Sequence, residues 1–303
     1  MRPDLQRVWQ HLADGSPRDD SPDPIGDFRR FMRNYGAAVP WPARPAARRV
    51  PVANAPFVAE WLLVSDATPD RRIVFLHGGA WIGGDLDSHR DMALAVSLAA
   101  CAAVLLVDYR LAPEHPFPAG FDDAVAAIAW AWGHGPDGPA AAAALTLAGD
   151  SAGANLAAAA CLAAGRRPLR MALLSPVLDV RAGARRTPVE TAAADIAALN
   201  LVMELYAGDT PREDPRLSPL LTPDTALAGC PPTLIQSSDA DFLLADAQRF
   251  ADRLGAVQVP VTLEVWPGMP HVWHAFLGLL PEAEAALAAA GQFLRGSDGP
   301  ARP

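Results

Sequence analysis

Short, uninterrupted apolar runs alternate along most of this chain with Ala-rich stretches of helical period. Runs at 57–64, 72–76, 103–108, 145–148, 171–174, 233–236 and 261–265 are bounded by Pro, Gly or charge and predict strands. A turn at Thr68-Pro69-Asp70 is expected to join the first two. Segments 88–100, 120–132 and 155–164 predict helices between later runs. Strands that are apolar throughout, rather than alternating, are buried on both faces. The pattern therefore predicts an α/β fold with a mostly parallel central sheet flanked by helices. No internal repeat is present.

Two regions depart from that rhythm. In residues 1–50, Leu5, Val8, Trp9 and Leu12 recur at helical spacing, as do Phe28, Phe31, Met32 and Tyr35. Prolines at 17, 22, 24, 40, 42 and 45 forbid one long helix. The expectation is two short helices with no sheet of their own, lying on the rest of the molecule. Trp9, Phe28, Phe31 and Trp41 could line a pocket there, although aromatics at helical spacing more often simply pack. The second region runs from Asp179 to Pro231, where no strand pattern exists, 187–206 reads as helical, and Asp209-Thr210-Pro211 and the segment 214–219 are turn-rich. An insertion of this kind in a sheet protein is expected to act as a lid.

Candidate chemistry sits where apolar runs meet glycine. Gly149-Asp150-Ser151-Ala152-Gly153 lies between the run ending at Ala148 and the helix from Asn155, and fits G-x-S-x-G, a strand–turn–helix elbow that raises a serine hydroxyl. The glycines permit a tight, strained turn. His77-Gly78-Gly79-Ala80-Trp81 directly follows another strand and bares backbone N–H groups. Gly78, Gly79 and Ala80, with Ala152 after the serine, are thus candidate oxyanion donors. His77 precedes the serine and is read as a brace for its loop.

In elbow enzymes the acid and then the base follow the nucleophile in the chain. His271, in Trp266-Pro267-Gly268-Met269-Pro270-His271 after the last apolar run, is the expected base, with His274 the runner-up. Asp239, Asp241 and Asp246 follow the run 233–236. Asp241, at the loop-to-helix transition, is preferred over Asp239, and Asp246 is expected one turn into the helix and solvated.

Composition narrows the alternatives. Over 303 residues, 51% hydrophobic and 19% charged content supports a large core. A net charge of −9, with 25 arginines and no lysine, argues against nucleic-acid or anionic-membrane partners. Cys101, Cys161 and Cys230 are odd in number and far apart, which suits reduced thiols and neither a disulfide framework nor a metal site. Asp4, Asp14, Asp19 and Asp20 and the lack of an apolar run near the start predict no signal peptide. The run 93–107, interrupted by Ser97, is too short to span a bilayer. The expectation is a cytoplasmic protein.

From about Val50 onward the sequence resembles the hormone-sensitive-lipase-like esterases of the α/β-hydrolase fold. His77-Gly78-Gly79-Ala80-Trp81 is similar to that family's HGGGW loop, Gly149–Gly153 matches its GDSAG elbow, and residues 108–119 match its DYRLAPEHPFPA stretch. The resemblance implies residues 1–50 as an N-terminal cap segment and 51–303 as the catalytic domain, with a cap insertion at about 180–215. It implies Ser151, Asp241 and His271 as a catalytic triad cleaving short-to-medium acyl esters without cofactor or metal. A lactone, a natural-product acetyl ester, an amide or acyl transfer would use the same triad, and a hydrolase-fold binding protein would lack a member of it. The family often pairs through a sheet edge, which puts a homodimer contact at 261–265. Three departures stand out: Ala80 replaces a third glycine, Asp241-Phe242-Leu243 replaces Asp-Pro-Leu, and His271-Val272-Trp273 replaces His-Gly-Phe. Residues 108–119, although rich in polar groups, are read as a structural turn whose groups satisfy one another.

Overall fold

A computed structural model describes residues 2–16, 21–181 and 193–296. Eight strands form the central sheet: β1 (Ala47–Pro51), β2 (Val58–Val64), β3 (Thr68–Leu76), β4 (Ala102–Asp108), β7 (Ala144–Asp150), β8 (Met171–Leu174), β9 (Thr233–Ser238) and β10 (Val261–Trp266). Their order across the sheet is β1-β2-β4-β3-β7-β8-β9-β10. β2 is antiparallel to both β1 and β4, and every later pairing is parallel. A separate hairpin pairs β5 (His134–Gly135) with β6 (Gly138–Pro139). The helices are α1 (Pro3–Gly15), α2 (Pro24–Asn34), α3 (Leu86–Ala100), α4 (Ala119–Ala131), α5 (Ala152–Ala163), α6 (Ala193–Ala207), α7 (Asp224–Leu227), α8 (Leu244–Ala256) and α9 (Pro281–Arg295).

Period-2 side-chain alternation divides the core into two layers. Ala103, Leu105 and Val107 of β4 belong to the layer that also holds α4, α5 and α8, while Val104 and Leu106 belong to the layer that holds α3 and α9. Both layers are apolar, which is why these strands read as unbroken hydrophobic runs. Local chemistry fixes the helix starts. Asp85 and Ser88 form a reciprocal capping box on α3, and Asp23 accepts from Gly26 N–H to cap α2, whose first residue is Pro24.

The sequence expectations need two corrections here. Residues 47–51 are not part of a sheetless segment but the antiparallel edge strand β1. The turn before β3 lies at Ser65-Asp66, where Ala67 N–H donates to Val64, and Thr68-Pro69-Asp70 already belongs to β3. Of the insertion expected at about 180–215, residues 182–192 lie outside the described residues, and its helix is seen as α6 from Ala193. The three cysteines are free, with Cys161 and Cys230 buried. Among the described residues no helix is long and apolar enough to cross a membrane.

Candidate active site

Residues just beyond the C-terminal ends of β7, β8, β9 and β10 (Ser151, Ser175, Asp241 and the His271 loop) are joined by hydrogen bonds at the edge where a parallel sheet binds ligands. At the end of β7 the chain reverses sharply into α5, and Ser151 takes φ 48°, ψ −115°. That conformation is strained for a residue with a side chain and persists only when its surroundings enforce it. The enforcement is backbone against backbone. A Cβ on Gly149 would strike the Gly153 backbone and the Leu76 carbonyl, and one on Gly153 would strike the Leu76 and His77 carbonyls. Ser151 N–H donates to Leu174 O at 2.8 Å, pinning the elbow to β8.

His271 lies in the loop after β10. Its Nε2 is 2.9 Å from Ser151 Oγ, and its Nδ1 is 2.8 Å from Asp241 Oδ2. An ionised carboxylate only accepts, so Nδ1 carries the proton and Nε2 is left to accept from the serine hydroxyl. Asp241 is 1% exposed, and its Oδ1 accepts from Leu243 N–H at 2.9 Å. Burial raises its pKa, but the adjoining His271 ring and hydrogen bonds from His271, Leu243 N–H and Ser175 outweigh it, so the carboxyl titrates below its usual range.

Side chains from distant segments fix the histidine loop. Asp239 accepts from Gly268 N–H at 2.6 Å, Ser175 Oγ accepts from Val272 N–H at 3.2 Å, and the Tyr35 hydroxyl donates to the His271 carbonyl. Asp239 thus holds the loop and does not touch the imidazole. His274 is fully buried, its Nε2 is 3.0 Å from Gln236 Oε1, and burial pushes its pKa down to about 3. Asp246 is not solvated: it is 0% exposed and accepts from the N–H groups of Leu178 and Asp179, closing the base of the insertion.

Behind the serine, the loop after β3 turns through Gly79, Ala80 and Trp81 at φ 121°, 52° and 59°. Gly78 must be removed from the candidate donors, because its N–H is directed at Asp150 Oδ1, 3.0 Å away. Among the described residues no hydrogen bond engages the N–H groups of Gly79, Ala80 and Ala152. Asp150 is 1% exposed. Burial raises its pKa, but His89, His77 and the Gly78 N–H outweigh burial and lower it. His77 faces the Gly78 carbonyl through Nδ1, at 2.8 Å, and stacks on Tyr109 at 4.3 Å between centroids.

The polar groups of 108–119 do not satisfy one another, as the sequence suggested. Arg110 pairs with Asp123 of α4, Glu114 with Arg29 of α2, and the Tyr109 hydroxyl donates to His77 O. Ser175, Tyr35 and Arg29 are site-supporting residues that sequence reasoning missed. Only Ser175 carries a signal, being a polar residue just past the C-terminal end of a strand in the sheet.

A family described by the α/β hydrolase fold matches residues 73–275. An acetyl-hydrolase from Streptomyces hygroscopicus is 41% identical over 251 residues, covering 80% of each chain. The esterase LipU of Mycobacterium tuberculosis is 32% identical, covering 95% of this chain and 98% of its own. The crystal structure of an esterase from the bacterial hormone-sensitive lipase family superposes with a TM-score of 0.85 at 34% identity, covering 97% of this chain and 98% of that one. The chain belongs to the α/β-hydrolase family, within its hormone-sensitive-lipase-like esterases.

Proposed function

We propose that the protein is a serine carboxylesterase in which Ser151 is the nucleophile, His271 the general base and Asp241 the orienting acid. The observation that carries this reading is the continuous relay from the Asp241 carboxylate through the imidazole to the elbow hydroxyl. Ser151 Oγ attacks the ester carbonyl as His271 Nε2 takes its proton, and the buried Asp241 carboxylate stabilises the imidazolium that results. The N–H groups of Gly79, Ala80 and Ala152 receive the tetrahedral oxyanion. His271 then protonates the departing alkoxide, and water attacks the acyl-enzyme by the same route in reverse.

Short-to-medium acyl esters are the proposed substrates, with acetyl esters first because a relative at 41% identity is named an acetyl-hydrolase. The N-terminal helices and the insertion ending near residue 215 serve as the cap over the site. Three free cysteines suit a reducing cytoplasm. The edge strand β10, with Val265 exposed, is the proposed contact of a homodimer.

The test is hydrolysis of p-nitrophenyl esters of rising chain length by the parent and by Ser151→Ala. Turnover by the parent should be fastest on short acyl groups and fall by about 10⁴-fold or more in the variant. Equal rates in parent and variant would remove the reading.

A further inference from the structure

The loop that carries Gly79 and Ala80 is held in an unfavourable shape. Three successive residues have left-handed backbone, and two of them, Ala80 and Trp81, carry a Cβ that disfavours it. Two internal bonds close the turn, from Ile82 N–H and Gly83 N–H to the Gly79 carbonyl, at 3.1 and 2.8 Å. They do not hold its outer side.

That side is held by α2. Arg29 Nε donates to the Ile82 carbonyl at 2.7 Å, and Nη2 donates to the Ala112 carbonyl at 3.2 Å. Ala112 N–H in turn donates to the Trp81 carbonyl at 2.9 Å. Arg29, Ile82, Trp81 and Ala112 therefore form a closed ring around the strained turn. Glu114 aims the guanidinium, accepting from Nη1 at 2.9 Å and Nη2 at 2.6 Å. Phe28 and Met32 of the same helix lie against Gly83. The guanidinium suits this task because its planar fork reaches two carbonyls and a carboxylate at once, which an ammonium on a flexible stem does not.

We propose that Arg29 is a positioning residue for the oxyanion turn, setting the direction of the Gly79 and Ala80 N–H groups from a helix outside the hydrolase core. The proposal rests on the esterase reading above. It makes the docking of α2 a condition of rate and not of substrate binding: the oxyanion exists only after attack, so a misdirected turn lowers kcat and leaves KM nearly unchanged. Arg29 touches no reacting atom. The strain at position 80 supplies an internal control, because glycine there adopts left-handed backbone without penalty and lessens the need for an external hold.

The experiment measures kcat and KM on p-nitrophenyl acetate, with thermal melting, for the parent, Arg29→Met, Ala80→Gly, the double variant, Glu114→Gln and Ser151→Ala. Arg29→Met should lower kcat about 10- to 100-fold with KM within about twofold. The loss from Arg29→Met should be several-fold smaller in the Ala80→Gly background, and Glu114→Gln should show a smaller loss of the same kind. Glu114→Gln carries the test if Arg29→Met does not fold. An inactive Ser151→Ala beside an Arg29→Met of parental kcat overturns the proposal alone, as does an equal loss from Arg29→Met in the parental and Ala80→Gly backgrounds. An active Ser151→Ala overturns the esterase reading instead.

Discussion

Ser151 is held by backbone packed against backbone, whereas His271 is held by side chains reaching in from separate segments. On the serine side, Gly149 and Gly153 let the elbow close onto the carbonyls of Leu76 and His77. On the histidine side, Asp239, Ser175, Tyr35 and Asp241 each contribute a hydrogen bond to the loop or its ring. Backbone contact leaves no room for adjustment, because interiors are packed too densely to absorb even one methyl without movement. A loop held by several separate bonds loses only a share of its order when one is removed. The two halves should therefore respond differently to substitution.

The largest effect tests chemistry rather than placement. Asn at position 241 can donate to Nδ1, which moves the imidazole proton to Nε2 and leaves the serine hydroxyl without an acceptor. Asp241→Asn should reduce kcat by about 10³- to 10⁴-fold with little change in KM. The lowered carboxyl pKa adds a second readout. A group with depressed folded pKa contributes stability above its unfolded pKa, about 3.9, and loses it as pH falls through the folded value. Parent and Asp241→Asn should thus differ in melting temperature at neutral pH and converge in acid. A variant with parental kcat would mean that the carboxylate does not set the tautomer.

The next pair of variants sets the halves against each other. Gly153→Ala adds one methyl against the Leu76 and His77 carbonyls. Overpacking of this kind destabilises by about 1–3 kcal/mol, and the displaced elbow should lower kcat about 100-fold. Ser175→Ala removes the hydrogen bond that Ser175 Oγ accepts from Val272 N–H and the one it gives the Asp241 carboxylate, yet Asp239 and Tyr35 still hold the histidine loop. A loss of roughly 0.5–1.5 kcal/mol and a fall in kcat of about tenfold or less are expected. Melting curves and kcat for the two variants decide the matter. If Ser175→Ala were the more damaging, the histidine loop would be the rigid half and the comparison would be reversed.

The same contrast explains what could be read from sequence. Elbow and donor loop are local: glycines, apolar run and following helix lie within a few residues, so their spacing makes them candidates from sequence. The histidine side is assembled over distance. Tyr35 is 236 residues from the carbonyl it serves, and nothing near Tyr35 in the chain distinguishes it from a packing aromatic. Asp246 reads as solvated from its place one turn into a helix, yet its partners are the N–H groups of residues 178 and 179, 68 and 67 residues away. β1 was missed for a different reason. Ala47-Arg48-Arg49-Val50-Pro51 is an edge strand with no fully buried residue, so it carries no apolar run to read.

His274 gives the smallest effect on catalysis and a distinct effect on stability. It lies three residues beyond His271, but its ring is buried against Trp273, with ring centroids 3.9 Å apart, and its Nε2 faces Gln236. Its role is therefore in the core, and His274→Gln, which retains a donor for Gln236, should leave kcat at neutral pH within about twofold of the parent. The buried ring stays neutral down to about pH 3, whereas in the unfolded chain it ionises near its ordinary pKa of 6.5. Between those values the unfolded state binds the extra proton, so stability falls as pH is lowered through this window. For a single group the slope approaches about 1.4 kcal/mol per pH unit. Urea unfolding between pH 4 and 6 should accordingly give a shallower pH slope for His274→Gln than for the parent. Identical slopes would mean that the imidazole is protonated inside the fold, and that the layer beneath the histidine loop admits charge.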